Sequence, residues 1–215
     1  MKVLAINASP RKKWNTAMMI DAALEGAISA GAEGKRIDLY DYDFKGCYSC
    51  FECKRTEGPN FGRCAAKDGI SAILDEAVDA DILLLGSPIY FNDVTGEMRS
   101  FLERLYFPTL TYTKAHTMLY KKRKQVGWVF TTNAPGFFYP DYFKEVISTS
   151  DRLLGRSEYV DASETLQFTD YSIYAADMFD VPDRKQRREN VFPEDLKKAF
   201  EMGARLAKNC LEETK

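Results

Sequence analysis

The sequence lacks several features that would each have indicated a class of function. It contains a single histidine, His116, which has no motif around it, so we assign no catalytic acid–base pair and treat that residue as surface or core. No run approaches the roughly 18 apolar residues of a membrane span. The N-terminal residues lack the apolar stretch and cleavage site of a secretory signal, which predicts a cytoplasmic protein. A net charge of −2 provides no basic surface for nucleic acid or anionic lipid.

Two common phosphate-binding motifs are also missing. The pattern G-x-x-x-x-G-K-[ST] does not occur, and G-x-G-x-x-G does not follow the first predicted strand, which excludes Walker-type NTPases and Rossmann dehydrogenases. A receiver domain would need acidic side chains where the first and third strands end, but Asn7 and Ser87 stand there. A phosphate site in this chain must therefore be built in another way.

The composition, 45% hydrophobic and 29% charged, is typical of a soluble globular protein, and 215 residues suit a single domain spanning 1–215. Predicted strands and helices alternate along the chain. This alternation predicts an α/β fold in which helices cover both faces of a doubly wound, five-stranded parallel sheet of order 2-1-3-4-5, a three-layer α/β/α arrangement. The predicted strands are Val3–Asn7, Gly34–Leu39, Ile82–Leu85, Val126–Thr131 and a less regular Tyr159–Phe168. The predicted helices are Thr16–Ala30, Ile70–Val78, Thr95–Tyr106, Tyr142–Leu154 and a last one starting at Pro193.

One stretch, at about 167–190, does not fit this alternation. It is rich in Tyr, Asp and Arg, and it is predicted to be a surface excursion. A contact between subunits is one possible purpose, and packing of its aromatic side chains on the domain is another.

Ligands of a doubly wound sheet bind at the carboxyl ends of the strands, where the strand order reverses. Here that place is formed by the loops after the first and third strands. The first loop, residues 7–16, is rich in hydroxyl and amide groups and opens into a helix N-terminus, which favours an anion. The alternative is that Asn15 or Thr16 simply caps the helix.

The loop after the third strand, Ser87–Val94, carries Tyr90 and Phe91 on backbone that Pro88 and Gly96 are expected to keep irregular. Such aromatic side chains would suit a flat ring system, although an isolated aromatic pair is more commonly core. The residues after the fourth strand, 131–136, would reach the same crevice with further hydrogen-bond donors.

Four of the five cysteines crowd into one loop, at 45–67, in the pattern Cys47-x2-Cys50-x2-Cys53-x10-Cys64. In a reducing compartment this density favours metal or redox chemistry over structural disulfides. Closely spaced Cys-x2-Cys-x2-Cys is a ferredoxin-like ligand pattern, whereas structural zinc more often uses two separated pairs. The spacing favours a [4Fe-4S] cluster over zinc, and free or redox-active thiols are the other alternative.

Together these segments resemble the NADPH-dependent FMN reductase and iron–sulfur flavoprotein branch of the flavodoxin-like proteins. The resemblance covers about residues 1–106. Its motifs are Asn7–Arg11 with Asn15–Thr16, Gly46–Cys47, Gly86–Phe91 and Gly96–Arg104. It implies bound FMN, NAD(P)H as the electron donor, an unidentified electron acceptor, and association into homodimers or homotetramers.

The resemblance also distributes roles among the residues. The FMN phosphate is expected to contact Ser9, Arg11, Asn15, Thr16 and Ala17, and the flavin ring Pro88, Ile89, Tyr90, Phe91 and Asn92, with Thr132 and Asn133 nearby. The expected cluster ligands are Cys47, Cys50, Cys53 and Cys64. Two other functions remain open at this point. One is an electron carrier that does not oxidise NAD(P)H itself. The other is a protein-interaction module without flavin, in which a metal ion bound by the cysteines stabilises the binding loop.

Overall fold

The structure is a computed structural model and describes residues 1–115, 117–120 and 123–212. His116 lies outside the described residues. The strands are β1 Lys2–Asn7, β2 Glu33–Asp38, β3 Ile82–Tyr90, β4 Asp93–Val94, β5 Gln125–Thr131 and β6 Ser157–Ala162. The helices are α1 Asn15–Ser29, α2 Ser71–Asp79, α3 Gly96–Tyr106, α4 Pro140–Leu153, α5 Val181–Asn190 and α6 Phe192–Glu212.

Five of the strands form a parallel sheet in the order β2-β1-β3-β5-β6, and β4 pairs antiparallel with the end of β3. This order confirms the predicted flavodoxin-like topology. Its reversal point lies between β1 and β3, so the loops after these two strands leave the sheet side by side. Among the described residues, no helix has the length and apolar character needed to cross a bilayer.

Alternate side chains of the central strands enter two separate cores, as expected for a sheet buried on both faces. Leu83 and Leu85 of β3 pack in the core formed with α2, α3 and α4. Ile82 and Leu84 pack on the other side, against α1 and α6. The unbroken apolar run of β3 is therefore explained by helices on both faces of the sheet.

The structure corrects the predicted ends of two strands. β3 continues to Tyr90, so the backbone around Pro88 is extended and not irregular. Proline has no backbone N–H to donate to a neighbouring strand. Pro88 is tolerated in β3 because β1 ends opposite Gly86, so no strand on that side needs a hydrogen bond from position 88. On its other side, Pro88 pairs with Thr131 of β5. β6 ends at Ala162 and does not reach Phe168, because its partner β5 ends at Thr131, directly opposite Ala162.

Helix α5 was not predicted from the sequence. Arg184 is the one residue buried in its ten-residue length, so no apolar stripe marks it. Asp180 caps its N-terminus by accepting a hydrogen bond from the backbone N–H of Asp183. The excursion at 167–190 therefore ends in a charged helix that leads directly into α6.

Helices α1 and α6 approach each other through two glycines. A Cβ atom on Gly203 would lie 1.8 Å from the carbonyl oxygen of Ala23, and one on Gly26 would lie 2.0 Å from that of Phe200. Both contacts are with backbone atoms, which cannot move aside as a side chain does. The absence of a side chain at these two positions lets the helix that carries the first loop pack tightly on the C-terminal helix.

Candidate functional site

A cavity of about 330 Å³ opens at the carboxyl ends of β1, β3 and β5. Its volume falls in the range of small-molecule and cofactor sites, about 300–1,000 Å³. The cavity is lined by Ser9, Arg11, Trp14, Asn15, Thr16, Pro88, Ile89, Tyr90, Phe91, Thr131, Thr132, Asn133, Thr165 and Gln167.

Most of the residues predicted to contact a flavin therefore line one cavity. Ala17 and Asn92 do not: Ala17 is buried inside the protein, and Asn92 occupies an exposed turn. Four other lining residues were not among those predicted to contact a flavin, namely Trp14, Thr131, Thr165 and Gln167. Trp14 and Thr131 lie in segments that were already considered, whereas Thr165 and Gln167 follow β6, where no pattern indicates a site.

The first loop is shaped by short-range hydrogen bonds that turn its backbone toward the cavity. The backbone N–H of Ser9 donates to Asn7 Oδ1 over 3.2 Å, and that of Arg11 donates to Ser9 Oγ over 3.2 Å. Helix α1 begins at Asn15, with Trp14 as an N-cap residue whose side chain makes no capping bond. Neither Asn15 nor Thr16 is the capping residue, so the simple capping alternative is not what the structure shows.

The N-terminus of α1 is suited to an anion. For the backbone N–H groups of Asn15, Thr16 and Ala17, the described part of the chain supplies no hydrogen-bond acceptor, and the first turn contains no acidic residue. The aligned peptide dipoles of the helix add a partial positive charge at this end. Since Asn15 and Thr16 also line the cavity, these donors meet a space that a ligand can occupy.

Side chains fix α1 against β5 and against the segment that follows β6. The hydroxyl groups of Thr16 and Thr131 lie 2.7 Å apart in a buried hydrogen bond. Asn15 Nδ2 and the indole N–H of Trp14 both donate to the carbonyl oxygen of Leu166, each over 3.0 Å. The segment after β6 therefore covers the start of α1 and completes one wall of the cavity.

Arg11 joins the same wall. Its Nη1 donates to the carbonyl oxygen of Gln167 over 2.7 Å, and its guanidinium lies 4.1 Å from the centre of the Trp14 ring. Burial lowers the pKa of Arg11 from its ordinary value, although the group stays cationic at neutral pH. The cavity thus has a fixed positive charge at its rim.

The second loop is a tight turn at the end of β3. Phe91 and Asn92 have φ angles of 50° and 66°, and they connect Tyr90 of β3 with Asp93 of β4. Positive φ at both central residues is typical of a type I′ hairpin turn, which usually contains Asn and Gly. Phe91 pays a conformational cost there and its side chain is fully exposed, so packing does not explain its position.

Asp93 anchors this turn. Tyr142 and Arg99 both donate hydrogen bonds to its carboxylate. Burial alone would raise the pKa of Asp93, but these two hydrogen bonds lower it below its usual range. The carboxylate therefore stays ionised and holds the turn that presents Tyr90 and Phe91 to the cavity.

A chain of buried hydroxyl groups connects the two loops. Thr95 Oγ1 donates to the carbonyl oxygen of Ala8 over 2.9 Å, and the backbone N–H of Thr95 donates to Ser87 Oγ over 3.0 Å. Thr95 also caps α3 by accepting a hydrogen bond from the backbone N–H of Met98. Ser87 and Thr95 are almost completely buried, so they fix the spacing of the loops and do not themselves face a ligand.

The cysteine segment lies between β2 and α2 and is held by α3. Arg104, which is 2% exposed, places Nε 3.3 Å from Cys64 Sγ and donates through Nη1 to the carbonyl oxygen of Lys45 over 3.1 Å. Its neighbour Glu103 accepts a hydrogen bond from the backbone N–H of Cys47. Two adjacent residues of one helix thus hold both ends of the segment.

The four thiols of this segment are close to one another but do not form a ligand set. Burial raises the pKa of Cys53, Lys54 lowers it, and the nearby thiols of Cys50, Cys47 and Cys64 raise it further. Within residues 1–115, 117–120 and 123–212, however, no group of three or more His, Cys, Asp or Glu side chains is arranged to hold a metal ion. The predicted cluster ligands therefore match an iron–sulfur site in kind and number, but not in their placement in this structure.

Known proteins resemble this chain in sequence. The chain is 36% identical over 104 residues to an iron-sulfur flavoprotein from Archaeoglobus fulgidus, covering 48% of each chain. It is 34% identical over 104 residues to an iron-sulfur flavoprotein from Methanocaldococcus jannaschii, covering 48% of this chain and 51% of that protein. The matched region spans about half the length of these curated relatives.

A solved structure shares the fold over nearly the whole chain. The FMN-dependent NADH-azoreductase from Bacillus anthracis, solved in complex with FMN, superposes with a TM-score of 0.66 at 16% identity, covering 96% of this chain and 100% of that one. The model of the family described as NADPH-dependent FMN reductase matches residues 1–131, which include β1 to β5 and both predicted ligand loops. The chain belongs to the NADPH-dependent FMN reductase family.

Proposed function

We propose that this protein is an FMN-dependent NAD(P)H oxidoreductase and that its FMN occupies the cavity at the carboxyl ends of β1, β3 and β5. The main support for the proposal is the position of the α1 N-terminus. Its backbone N–H groups have no acceptor among the described residues, and they lie at a cavity large enough for a cofactor. These N–H groups, the hydroxyls of Ser9 and Thr16, and the guanidinium of Arg11 are the donors that a phosphate requires.

Other lining residues of the cavity suit a flat aromatic ring. Pro88, Ile89 and Tyr90 line it from the end of β3, and Phe91 extends from the strained turn. Thr132 and Asn133, at the end of β5, add polar groups that can bond to the ring's edge. The presence of both phosphate donors and aromatic side chains in the lining of one cavity supports FMN over a small anion alone.

Bound FMN would supply the chemistry itself, by accepting a hydride from a nicotinamide and passing electrons to an acceptor. The chain's own residues then need only bind, orient and exclude water. Burial raises the pKa of Tyr90, and nearby Arg11 offsets part of the effect, so the phenol keeps its proton and remains a hydrogen-bond donor at neutral pH. Consistent with these roles, the described residues that line the cavity include no histidine or carboxylate.

Association of two or more copies is also part of the proposal. Phe91, Phe137 and Phe138 are exposed on loops that follow β3 and β5, the same edge of the sheet as the cavity. Exposed aromatic side chains of this kind are typical of surfaces that become buried on association. A second copy on this edge would shield the cavity from water.

Anaerobic addition of NADPH to FMN-loaded protein tests the proposed activity. We expect the flavin to be reduced directly. A simple electron carrier would stay oxidised until a reduced protein partner was supplied, and an interaction module without flavin would not retain FMN at all. Either of these results would contradict the proposal.

We also propose a [4Fe-4S] cluster as the occupant of the cysteine segment, supported by the number and spacing of the cysteines and by the iron-sulfur flavoproteins among the relatives. Because the four thiols are not placed as ligands, binding requires the segment to rearrange, and no step of the reaction is assigned to a cluster.

Iron and acid-labile sulfide in anaerobically purified protein test this second proposal. About four of each per chain are expected for one such cluster, with loss of both in the Cys47→Ser/Cys50→Ser variant. The Cys210→Ser variant is the control, because Cys210 lies on α6, far along the chain from the segment. Wild-type protein with iron and sulfide at background level would indicate free thiols instead.

A further inference from the structure

The C-terminal part of the chain brings an additional guanidinium to the start of α1. Arg188 of α5 donates through Nη1 to Asn15 Oδ1 over 2.7 Å. Its Cζ lies 5.7 Å from the centre of the Trp14 ring and 4.2 Å from that of Phe192. Asn15 and Trp14 both line the cavity, so Arg188 stands directly behind the wall that the first loop forms.

Neither Arg188 nor Arg11 has a carboxylate partner within the described residues, although both are partly buried. By contrast, the neighbouring Arg187 pairs with Glu164 over 3.1 Å. Burial lowers the pKa of Arg188, with no nearby charge acting against it. Two partly buried cations on either side of Trp14 are thus left without a negative charge.

A third guanidinium, on the same helix as Arg188, also lacks a carboxylate partner among the described residues. Arg184 lies one turn before Arg188 on α5 and is 8% exposed. Its Nη2 donates to the carbonyl oxygen of Asn133 over 3.2 Å, but its Nη1 and the Oδ1 of Asn133 are buried without partners in the part of the chain that the structure describes. Asn133 also lines the cavity.

Burying cations without counter-charges is costly, and proteins usually offset that cost with a bound anion or an ion pair. Here Arg11 lines one cavity, Arg188 and Arg184 contact its lining residues Asn15 and Asn133, and the start of α1 presents its free N–H groups to the same cavity. The surplus of positive charge therefore matches a dianionic group better than a neutral one.

We propose that Arg188 is a positioning and specificity-determining residue that makes the cavity select a phosphorylated flavin over an unphosphorylated one. This inference rests on the proposed FMN site. It assigns a role to the 167–190 excursion, which lies beyond the 131 residues that match the family model. Arg188 orients the amide of Asn15 and adds long-range positive charge, while Arg11 supplies charge at the cavity rim.

The test compares FMN with riboflavin, which has the same ring and no phosphate. Titrations of each flavin are followed by quenching of flavin fluorescence for the wild-type protein and for R188Q, R188K and R205Q. Arg205 of α6 is the matched control because its removal changes the net charge equally, but it pairs with Glu158 over 2.7 Å and does not line the cavity.

We expect R188Q to weaken FMN binding about tenfold, because the long-range positive charge and the hydrogen bond that orients Asn15 are both lost, and to change riboflavin binding less than twofold. R188K should retain most of the preference for FMN, and R205Q all of it. Equal weakening of both flavins in R188Q would show that Arg188 only supports the fold.

Other results would overturn the inference in different ways. If FMN binding is unchanged in R188Q, or if R188K behaves like R188Q despite keeping its charge, Arg188 does not act through its charge. If the wild-type protein binds riboflavin as tightly as FMN, the site does not select the phosphate, although the proposed flavin site would stand. Binding of neither flavin by the wild type would remove the proposed function itself.

Discussion

Replacing Ser9 and Thr16 together with Ala is expected to weaken FMN binding about 100-fold. Both hydroxyls belong to nearly buried residues that line the cavity. A hydrogen bond to a charged group contributes about 1.5–3 kcal/mol, and two such losses correspond to at least a hundredfold in affinity. FMN titration followed by quenching of Trp14 fluorescence measures this effect, because Trp14 lines the cavity whereas Trp128 is buried in the core.

Two controls separate the loss of a ligand contact from damage to the protein. Ser29→Ala removes a hydroxyl at the opposite end of α1, where it donates to the carbonyl oxygen of Gly26, and should leave FMN binding unchanged. Thr131→Val breaks the buried bond to Thr16 while keeping the Thr16 hydroxyl. Unchanged FMN affinity in the double variant would remove the phosphate assignment. Weakening in Thr131→Val as large as that in the double variant would mean that the Thr16–Thr131 bond, and not contact with phosphate, is responsible.

Substitution of Gly203 by Ala is expected to lower the free energy of unfolding by about 3 kcal/mol, at the upper end of the usual cost of overpacking. The added Cβ would lie 1.8 Å from the carbonyl oxygen of Ala23, so α1 and α6 would have to separate. Because α1 carries the first loop, the same variant should also lose affinity for FMN. Urea denaturation, followed by circular dichroism, measures the stability change.

Gly96→Ala is the matched control for this substitution. Gly96 begins α3, and a Cβ atom there would meet nothing within 4 Å. Replacing Gly with Ala in a helix without a clash stabilises it by up to about 1 kcal/mol. If both variants had the same stability as the wild type, the close approach of α1 and α6 would not exist in the native protein.

The sequence carried enough information to locate the cavity. The unbroken apolar run Ile82–Leu85 predicts a strand buried on both faces, and this places β3 at the centre of a parallel sheet. Once the strand order is known, the rule for doubly wound sheets places the ligand at the loops after β1 and β3. This reasoning located the two loops that carry Ser9, Thr16 and Tyr90, the family resemblance assigned these residues to FMN, and the structure places all three in the lining of the cavity.

The wall that includes Thr165 and Gln167, and the position of Arg188 behind Asn15, could not be predicted from the sequence. The contacts of this wall join a side chain to a distant carbonyl oxygen, as between Asn15 and Leu166, and such bonds leave no periodic pattern. Helix α5 has no apolar stripe that would predict it. The spacing of the cysteines predicts the number of candidate metal ligands, but it does not predict how the four thiols lie relative to one another.

The most direct test of the proposed function is an anaerobic absorbance spectrum of the protein, reconstituted with FMN and freed of excess flavin, before and after addition of NADPH. Retention of about one FMN per chain with the spectrum of an oxidised flavin is expected, followed by bleaching of that spectrum when NADPH is added. A colourless protein after removal of excess flavin, or a retained flavin that NADPH leaves oxidised, would contradict the assignment of this cavity to an FMN-dependent NAD(P)H oxidoreductase.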